Sequence, residues 1–390
     1  MKIIVSTHNS LYPILGGGGL RTLICAEEFK RRGHEVIIIA PTDGVCELSG
    51  IRVHWLHEPR KQRSPILSAI KFNIRLLRKF LPVAGTADLF FVRNAMAAAT
   101  IPFLRLFYKF KFVLDLDDIH AEYLAAAERS VMETLLTPLI LWFEYWIINS
   151  ADSVTVVTRA MKDLLIKKGV QASKISVVYD APEADKITSE KEPGCERTVI
   201  HLGSVDRQHG VKILISAIPR VAKSHPDAKF LIAGGGRELA NVIRLSEKLG
   251  VRGRCVFTDF FPSGGTADYL KKARIGIIPR HGTLPNHIVT TLKLYEYWAA
   301  GIATIASRLD GIKEIAEDGK DIVFFEPDSA RDLADKIIQL LEHPELTDKI
   351  AKGGLSTVKK YTLENTASLI VNAALKQIMP RESEDVSRKQ

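Results

Sequence analysis

Leu292-Lys293-Leu294-Tyr295-Glu296-Tyr297-Trp298-Ala299-Ala300-Gly301 lies between two apolar runs, Ile275-Gly276-Ile277-Ile278-Pro279 before it and Ile302-Ala303-Thr304-Ile305-Ala306 after it. Apolar residues recur at Ile288, Leu292, Tyr295 and Ala299, the spacing of a helix face buried against a sheet. Val289, Lys293, Glu296 and Ala300 form the neighbouring stripe. Gly301 supplies a stop and Thr290 or Thr291 a start. The order is strand, loop, helix, strand, the unit from which parallel sheets are built.

A helix that follows a parallel strand aims its free first-turn amides at the carboxyl edge of the sheet. Those donors and the helix dipole favour an anion there. The hydroxyls of Thr290 and Thr291 add donors, and Lys293 adds a positive charge in the first turn. Glu296 lies a turn further on, roughly 9 Å along the axis from Thr290 at about 1.5 Å per residue. A diphosphate at the helix start would leave Glu296 near an attached ribose. Taken alone, Lys293 and Glu296 also describe a surface pair at i, i+3, worth about 0.2–0.5 kcal/mol.

The rest of the chain sets the context. At 390 residues it is too long for one compact core, and two domains are expected. Apolar content of 46% and charged content of 25% describe a folded globular chain. A net charge of +9 favours anionic partners, and much of the excess lies between Arg60 and Lys79. Cys25, Cys46, Cys195 and Cys255 are too far apart for a C-x-x-C metal or redox pair, which suits a reducing cytosol. Met1–Ser6 reads as a first strand rather than a leader. The greasiest run, Leu135–Ile148, is broken by Pro138 and Glu144 and is shorter than the ~20 residues a membrane span requires.

Residues 2–6 are a strand, followed by a loop, Gly16-Gly17-Gly18-Gly19, a helix from Leu20 to Arg32 and a strand at Val36–Ala40. Glycines in a first crossover let backbone approach a ligand closely. No acidic residue ends the second strand, which weakens a dinucleotide reading. Ser64–Leu81 reads as an amphipathic helix with Leu67, Ile70, Ile74, Leu77 and Leu81 on the packing face. Lys71, Arg75, Arg78 and Lys79 lie beside that face, and Pro59–Leu81 contains no acid. This is either a solvated basic helix or a dock for an anionic membrane surface through 60–81. Few aromatics interleave the basic residues, which argues against nucleic acid. Phe112–Leu116 is a strand with Asp115, Asp117, Asp118 and His120 at its carboxyl end, a grouping suited to proton handling or hydroxyl binding.

The pattern restarts after a polar stretch. The expected organisation is a first Rossmann-like domain over 1–182, a linker over 183–197 and a second Rossmann-like domain over 198–362. A C-terminal helix over 363–379 returns to the first domain, and 380–390 forms a tail. In the second half, Thr198–Leu202 is a strand before the loop Gly203-Ser204-Val205-Asp206-Arg207-Gln208-His209-Gly210, and Lys229–Ala233 is a strand ending in Gly234-Gly235-Gly236.

Two doubly wound α/β halves in this order resemble the GT-B glycosyltransferases, and within them the retaining glycosyltransferase family 4. The resemblance covers nearly the whole chain. It is carried by Gly16–Gly19 with Arg32-Gly33-His34-Glu35-Val36, by Ala151-Asp152-Ser153-Val154-Thr155-Val156-Val157-Thr158, and by Leu231-Ile232-Ala233-Gly234-Gly235-Gly236. The most specific part is Lys293-Leu294-Tyr295-Glu296-Tyr297-Trp298-Ala299-Ala300-Gly301 followed by Gly311-Ile312, Glu314-Ile315 and Asp318-Gly319.

The resemblance implies two doubly wound Rossmann-like domains facing each other across a cleft, and transfer of a glycosyl group with retention. A nucleoside-diphosphate sugar would bind the second domain. Glu296 would hold the ribose, and Lys293 with Thr290 and Thr291 the diphosphate. Gly17, Gly18, Gly19, Ser204, Arg207 and Gly235 complete the expected donor site. Asp118, His120 and Glu296 are the expected catalytic residues. No cofactor or metal is implied. The acceptor would be a glycan or a lipid-linked precursor of a surface polysaccharide, which places the protein in the cytoplasm or on the inner membrane face. The sequence departs from the family at Ile288, where a first glutamate is common, and at Ser204 and His209, where Arg and Lys are common, with Arg207 as a substitute. The Asp115-x-Asp117 spacing looks like the metal pair of another transferase fold, but Asp115 sits inside a buried-strand pattern. The alternatives are a nucleotide-sugar epimerase on the same fold and a catalytically degenerate binding protein.

Overall fold

The computed structural model describes residues 1–14, 16–56, 65–127, 131–260 and 265–376. The chain divides into two compact units. The first comprises the described residues of Met1–Val157, Met161–Val178 and Glu364–Lys376; the second comprises the described residues of Thr158–Ala160 and Tyr179–Leu363. The segment 183–197, expected as a linker, therefore packs as part of the second unit. There the Glu192 amide donates to Lys271 O at 2.9 Å, and Cys195 is buried. Its polar composition conceals backbone bonds that hold it down.

The first unit is built on a sheet of β1 (Lys2–Ser6), β2 (Glu35–Pro41), β3 (Glu47–Leu48), β4 (Ile51–Leu56), β5 (Leu89–Arg93), β6 (Lys111–Leu116), β7 (Ser153–Val156) and β8 (Ile175–Val177). The spatial order is β3-β4-β2-β1-β5-β6-β7-β8. Every pairing is parallel except β3 with β4, a short hairpin that the sequence pattern does not reveal. Its helices are α1 (Gly17–Arg31), α2 (Pro65–Ala84), α3 (Ile101–Leu104), α4 (His120–Ala126), α5 (Val131–Ser150) and α6 (Arg159–Lys167). The strand order reverses between β1 and β5, and ligands of open α/β sheets bind at such a point, beyond the carboxyl ends.

Helix α2 differs from its expected packing. The residues facing the sheet are Phe72, Leu76, Phe80 and Val83, all buried. Ile70, Ile74 and Leu81, read from the sequence as the core face, are 51%, 48% and 46% exposed. The helix carries two apolar stripes, and periodicity alone cannot say which one meets the sheet. Of the basic stretch before it, residues 60–63 lie outside the described residues.

The second unit's sheet contains β9 (Thr198–Leu202), β10 (Lys229–Ala233), β11 (Cys255–Phe257), β12 (Ile275–Ile278), β13 (Ala303–Ser307) and β14 (Val323–Phe325). All neighbours are parallel in the order β11-β10-β9-β12-β13-β14. Both faces are covered, as an all-parallel sheet requires. The helices are α7 (Val211–Ser224), α8 (Leu239–Lys248), α9 (Thr266–Leu270), α10 (Leu284–His287) and α11 (Leu292–Ala299). Next come α12 (Asp310–Lys313), α13 (Ala330–Glu342) and α14 (Pro344–Val358). The last helix, α15 (Leu363–Lys376), sends Ile370, Val371 and Ala374 into the core around Ile3, Phe29 and Phe91 of the first unit.

Helix α11 is pinned in position. Its Leu294, Tyr295, Tyr297 and Trp298 are buried, whereas Leu292 and Ala299 of the expected stripe are half-buried. The helix lies between the sheet and α14, so burial reaches round most of its surface. The Leu202 amide donates to the Tyr297 hydroxyl at 2.9 Å, and Trp298 Nε1 donates to Asp321 O at 2.8 Å. Gly276 makes room for the Tyr297 ring: a Cβ there would stand 2.6 Å from it. Gly276→Ala is expected to cost about 1–3 kcal/mol through overpacking. It would also shift α11, so the melting temperature should fall together with the affinity for a ligand at the helix start. A variant with unchanged melting would show that the ring is not held as described.

Candidate functional site

In the second unit, the sheet reverses direction of construction between β9 and β12, and the loops leaving those two strands are drawn together. Gly210, at φ +63°, sits so close to Pro279 that a Cβ would be 1.8 Å from its carbonyl oxygen. Asn286 Nδ2 donates to Gln208 O at 3.2 Å, tying the loop after β12 to the loop after β9. Gly203, at φ +92°, leaves space for the Lys293 side chain, whose Cε would lie 2.9 Å from a Cβ at that position. Glycine is required at both positions because each combines a left-handed backbone with a close neighbour.

The result is a cluster of nitrogen bases at the start of α11. Lys293 is buried, and Arg280 follows directly on Pro279 after β12. Neither makes an ion pair among the described residues. Nε and Nη1 of Arg280 are buried without a hydrogen-bond partner, as are Nδ1 of His201, Nδ1 of His209 and the hydroxyl of Thr290. Burial foremost, then the Arg280 guanidinium, holds Lys293 down to about 7, against the opposing pull of Glu296 and Asp206. Burial foremost, then Lys293 and Arg280, keeps His209 well below the usual imidazole range. His201 is likewise held low by burial and then by Lys293. Two basic side chains, the unspent N–H groups of Arg280 and the Thr290 hydroxyl therefore converge where an anion would relieve them.

Thr291 occupies the N-cap position of α11 but makes no side-chain cap, and of the first-turn amides Leu294 turns back to the Thr291 carbonyl at 3.1 Å. Glu296, one turn on, keeps part of its surface open, and burial pushes its carboxyl up to about 7 despite the nearby Lys293. Ile288 is buried, and its carbonyl accepts the Thr158 hydroxyl, so no carboxylate stands at that position.

The remaining expected donor residues are placed unevenly. Ser204 is half-buried, with its carbonyl 3.4 Å from His201 Nε2. Arg207 is exposed on the turn Arg207–His209, so its position does not make it the buried cation. Arg280, half-buried with Nε and Nη1 shielded from solvent, takes that place. Its sequence signal is an arginine placed directly after an apolar run. Gly235 has a packing role, since a Cβ there would lie 2.4 Å from Asp259 Oδ1. Gly17, Gly18 and Gly19 form the first turn of α1 in the first unit. There Gly19 admits the Ser10 carbonyl, which a Cβ would meet at 2.6 Å.

Asp118 and His120 also lie in the first unit, past the carboxyl end of β6 at the start of α4. His120 Nδ1 stands 3.0 Å from Asp118 Oδ1, an ion pair off the hydrogen-bonding axis. Asn94 Nδ2 donates to the same oxygen at 2.9 Å, from a residue at φ +75°. Such a strained non-glycine residue marks a position the fold over-determines. Glu144 of α5 accepts the amides of His120 and Ala121 at 3.1 and 2.6 Å. Burial would lower His120, but Asp118, Glu144 and Asp117 outweigh it and raise it to about 9. His8, whose ring meets that of His120 edge-on at 5.4 Å, is held at about 4 by burial and then by His120. A protonated and a neutral imidazole thus sit side by side, an arrangement that can hold and hand on a proton. His8, Asn94 and Glu144 were not singled out in the sequence because only folding brings them to His120.

Asp115 is spent on structure. Arg21 Nε and Nη2 donate to its two oxygens at 2.9 and 3.0 Å, Arg93 Nη1 at 2.7 Å and Thr155 Oγ1 at 2.5 Å. Arg93 also pairs with Asp117 at 2.7 Å. Among the described residues no three His, Cys, Asp or Glu side chains are grouped to hold a metal ion.

The chain matches two family models: glycosyl transferases group 1 over residues 183–356 and a glycosyl transferase 4-like domain over residues 16–181. It is 31% identical over 184 residues to the phosphatidyl-myo-inositol mannosyltransferase of Mycobacterium tuberculosis (strain CDC 1551 / Oshkosh), a match covering 45% of this chain and 46% of that protein. The match thus spans about half the length of that curated relative. Among solved structures, sucrose-phosphate synthase from Thermosynechococcus elongatus superposes with a TM-score of 0.78 at 16% identity, covering 96% of this chain and 99% of the other. HepE from Anabaena in complex with UDP gives 0.74 at 16% identity, covering 96% and 100%.

Proposed function

From a chain that belongs to the GT-B glycosyltransferases and resembles their family 4, we propose an enzyme that moves a sugar from a nucleoside-diphosphate sugar to an acceptor with retention at the anomeric carbon. The observation that carries this reading is the buried Lys293 and the half-buried Arg280, whose Nε and Nη1 are buried, at the start of α11, unpaired with any carboxylate among the described residues and accompanied by the unspent Thr290 hydroxyl. A diphosphate fits that chemistry. Lys293, Arg280, the Thr290 hydroxyl and the α11 amides would take its oxygens, and Glu296 the ribose hydroxyls. The same groups would stabilise the charge that builds on the departing diphosphate. Asp118 and His120 would meet the acceptor hydroxyl. The retaining outcome rests on the family resemblance.

The acceptor is read as a lipid-linked or polysaccharide precursor. The mannosyltransferase relative bears the name of a lipid, and α2 presents Lys71, Arg78 and Lys79 to solvent. Among the described residues no helix is long and apolar enough to cross a membrane, so contact with lipid would be at a surface.

The test is the pH dependence of UDP binding by calorimetry. Lys293 is free to lose its proton above about 7 in the unliganded protein. A bound diphosphate favours the charged ammonium and raises that pKa, so binding takes up a proton as pH rises. UDP affinity is expected to fall above pH 7, approaching tenfold per pH unit. Buffers of different ionisation heat should report the proton uptake directly. An affinity that stays flat from neutral to alkaline pH would remove Lys293 from the diphosphate site.

A further inference from the structure

The first unit contains a cavity of about 570 Å³ between α2, α3, α4 and α5. Its wall is almost wholly hydrocarbon, with Ala69, Ile74, Leu77, Met96, Phe103 and Ile140 among the lining side chains. The polar exceptions are grouped. His120 and Glu144 line it, and Glu144 grips the amides at the start of α4. Asn73 Oδ1 and the Thr100 hydroxyl, also on the wall, are buried without a partner. A cavity of this size is in the range of ligand sites, about 300–1,000 Å³.

The apolar wall continues onto the surface. Ile70 and Ile74 of α2 and Phe103 of α3 line the cavity and are each about half exposed, and beyond Phe103 the Trp146 ring leads to the exposed Trp142 of α5. Monomers rarely leave so much contiguous hydrocarbon open without a use for it. Beside this strip, one turn or less from Ile74 on α2, are the exposed Lys71 and Arg78. A chain lying along the strip would place an anionic group near those cations. A plain packing defect would have neither the basic flank nor a protonated histidine on its wall.

The geometry points to this cavity as the binding site for the hydrocarbon chain of an amphiphilic acceptor, with the acceptor's polar end at His120. The inference rests on the transferase reading for the word acceptor, but the apolar site itself does not.

The test uses the full chain and a series of alkyl phosphates from hexyl to dodecyl, each below its micelle concentration, followed by calorimetry. Burying one methylene is worth about 0.8 kcal/mol, so affinity should rise about fourfold per added carbon until the cavity is full. Ala69→Phe, which fills the cavity, should flatten the series, and Ile74→Ser, at a half-exposed position, should shallow it. UDP binding serves as the control for folding in both variants. A series with no chain-length dependence in the wild type overturns the proposal. So does an unchanged slope in both variants. A variant that lost sedimentation with anionic vesicles while the wild-type series showed no slope would identify the strip as a bilayer contact, and that too overturns it. Chain-length-dependent binding with no transfer from any nucleotide sugar would keep the lipid site and sink the transferase reading. Transfer to water-soluble acceptors with no alkyl binding would do the reverse.

Discussion

Replacing Lys293 with methionine is expected to lower the affinity for UDP by about 10- to 150-fold, the range given by about 1.5–3 kcal/mol for hydrogen bonds to a charged group. Arg280→Ala should act in the same direction but more weakly. The guanidinium depresses the Lys293 pKa, so its removal lets Lys293 hold its proton and compensates in part. The two changes together should therefore differ from the sum of the singles, as expected for groups in contact. The unliganded protein should behave differently. Each variant removes one of two like charges that repel each other at a partly desolvated site, so the melting temperature of the free protein should hold or rise. A structural role for either residue predicts the opposite sign. Glu296→Gln, in the same series, should weaken UDP but leave inorganic pyrophosphate unaffected, because the carboxylate is assigned to the ribose. Equal losses for both ligands would move Glu296 to the diphosphate.

Replacing His120 with alanine is expected to reduce turnover by about 10²–10⁴-fold, the usual range for a group that handles a proton. UDP affinity should not change, since His120 belongs to the first unit and the nucleotide is assigned to the second. The expected pH dependence has a clear sign. His120 is held protonated up to about 9 by Asp118, Glu144 and Asp117 acting against burial. Whatever the imidazolium contributes is present below that pH and is lost as pH rises through it. In Asn94→Ala the hydrogen bond to Asp118 is gone, so the alkaline limb should move while the fold persists. If His120→Ala retained full turnover, the candidate acceptor site beside His8 would be wrong. If it lost UDP affinity as well, the assignment of nucleotide and acceptor to different units would be wrong.

Much of the second site was legible along the chain because its parts are local. Thr290, Thr291, Lys293 and Glu296 lie within two helical turns, and a strand before and after fixes which end of that helix faces the sheet edge. Arg280 was passed over for the opposite reason. Its importance comes from Gly203, Gly210 and Asn286, which draw the loop after β9 against the loop after β12. No spacing rule relates positions from separate loops. The same holds for His8, Asn94 and Glu144 around His120, which come from the loop after β1, the turn after β5 and α5.

By itself the sequence determined the two doubly wound sheets, because a strand buried on both faces is a short continuous apolar run and a crossover helix has its own period. It also determined the helix start that carries Lys293, and the basic, acid-free run along α2. The tertiary structure alone decided which stripe of α2 meets the sheet, since Phe72, Leu76 and Phe80 compete with Ile70, Ile74 and Leu81 on equal hydrophobic terms. It alone decided which charges share a low-dielectric space, and with that the pKa values of Lys293, Glu296, His8 and His120. Burial and charge proximity depend on distances through space, and the chain's own order does not contain them.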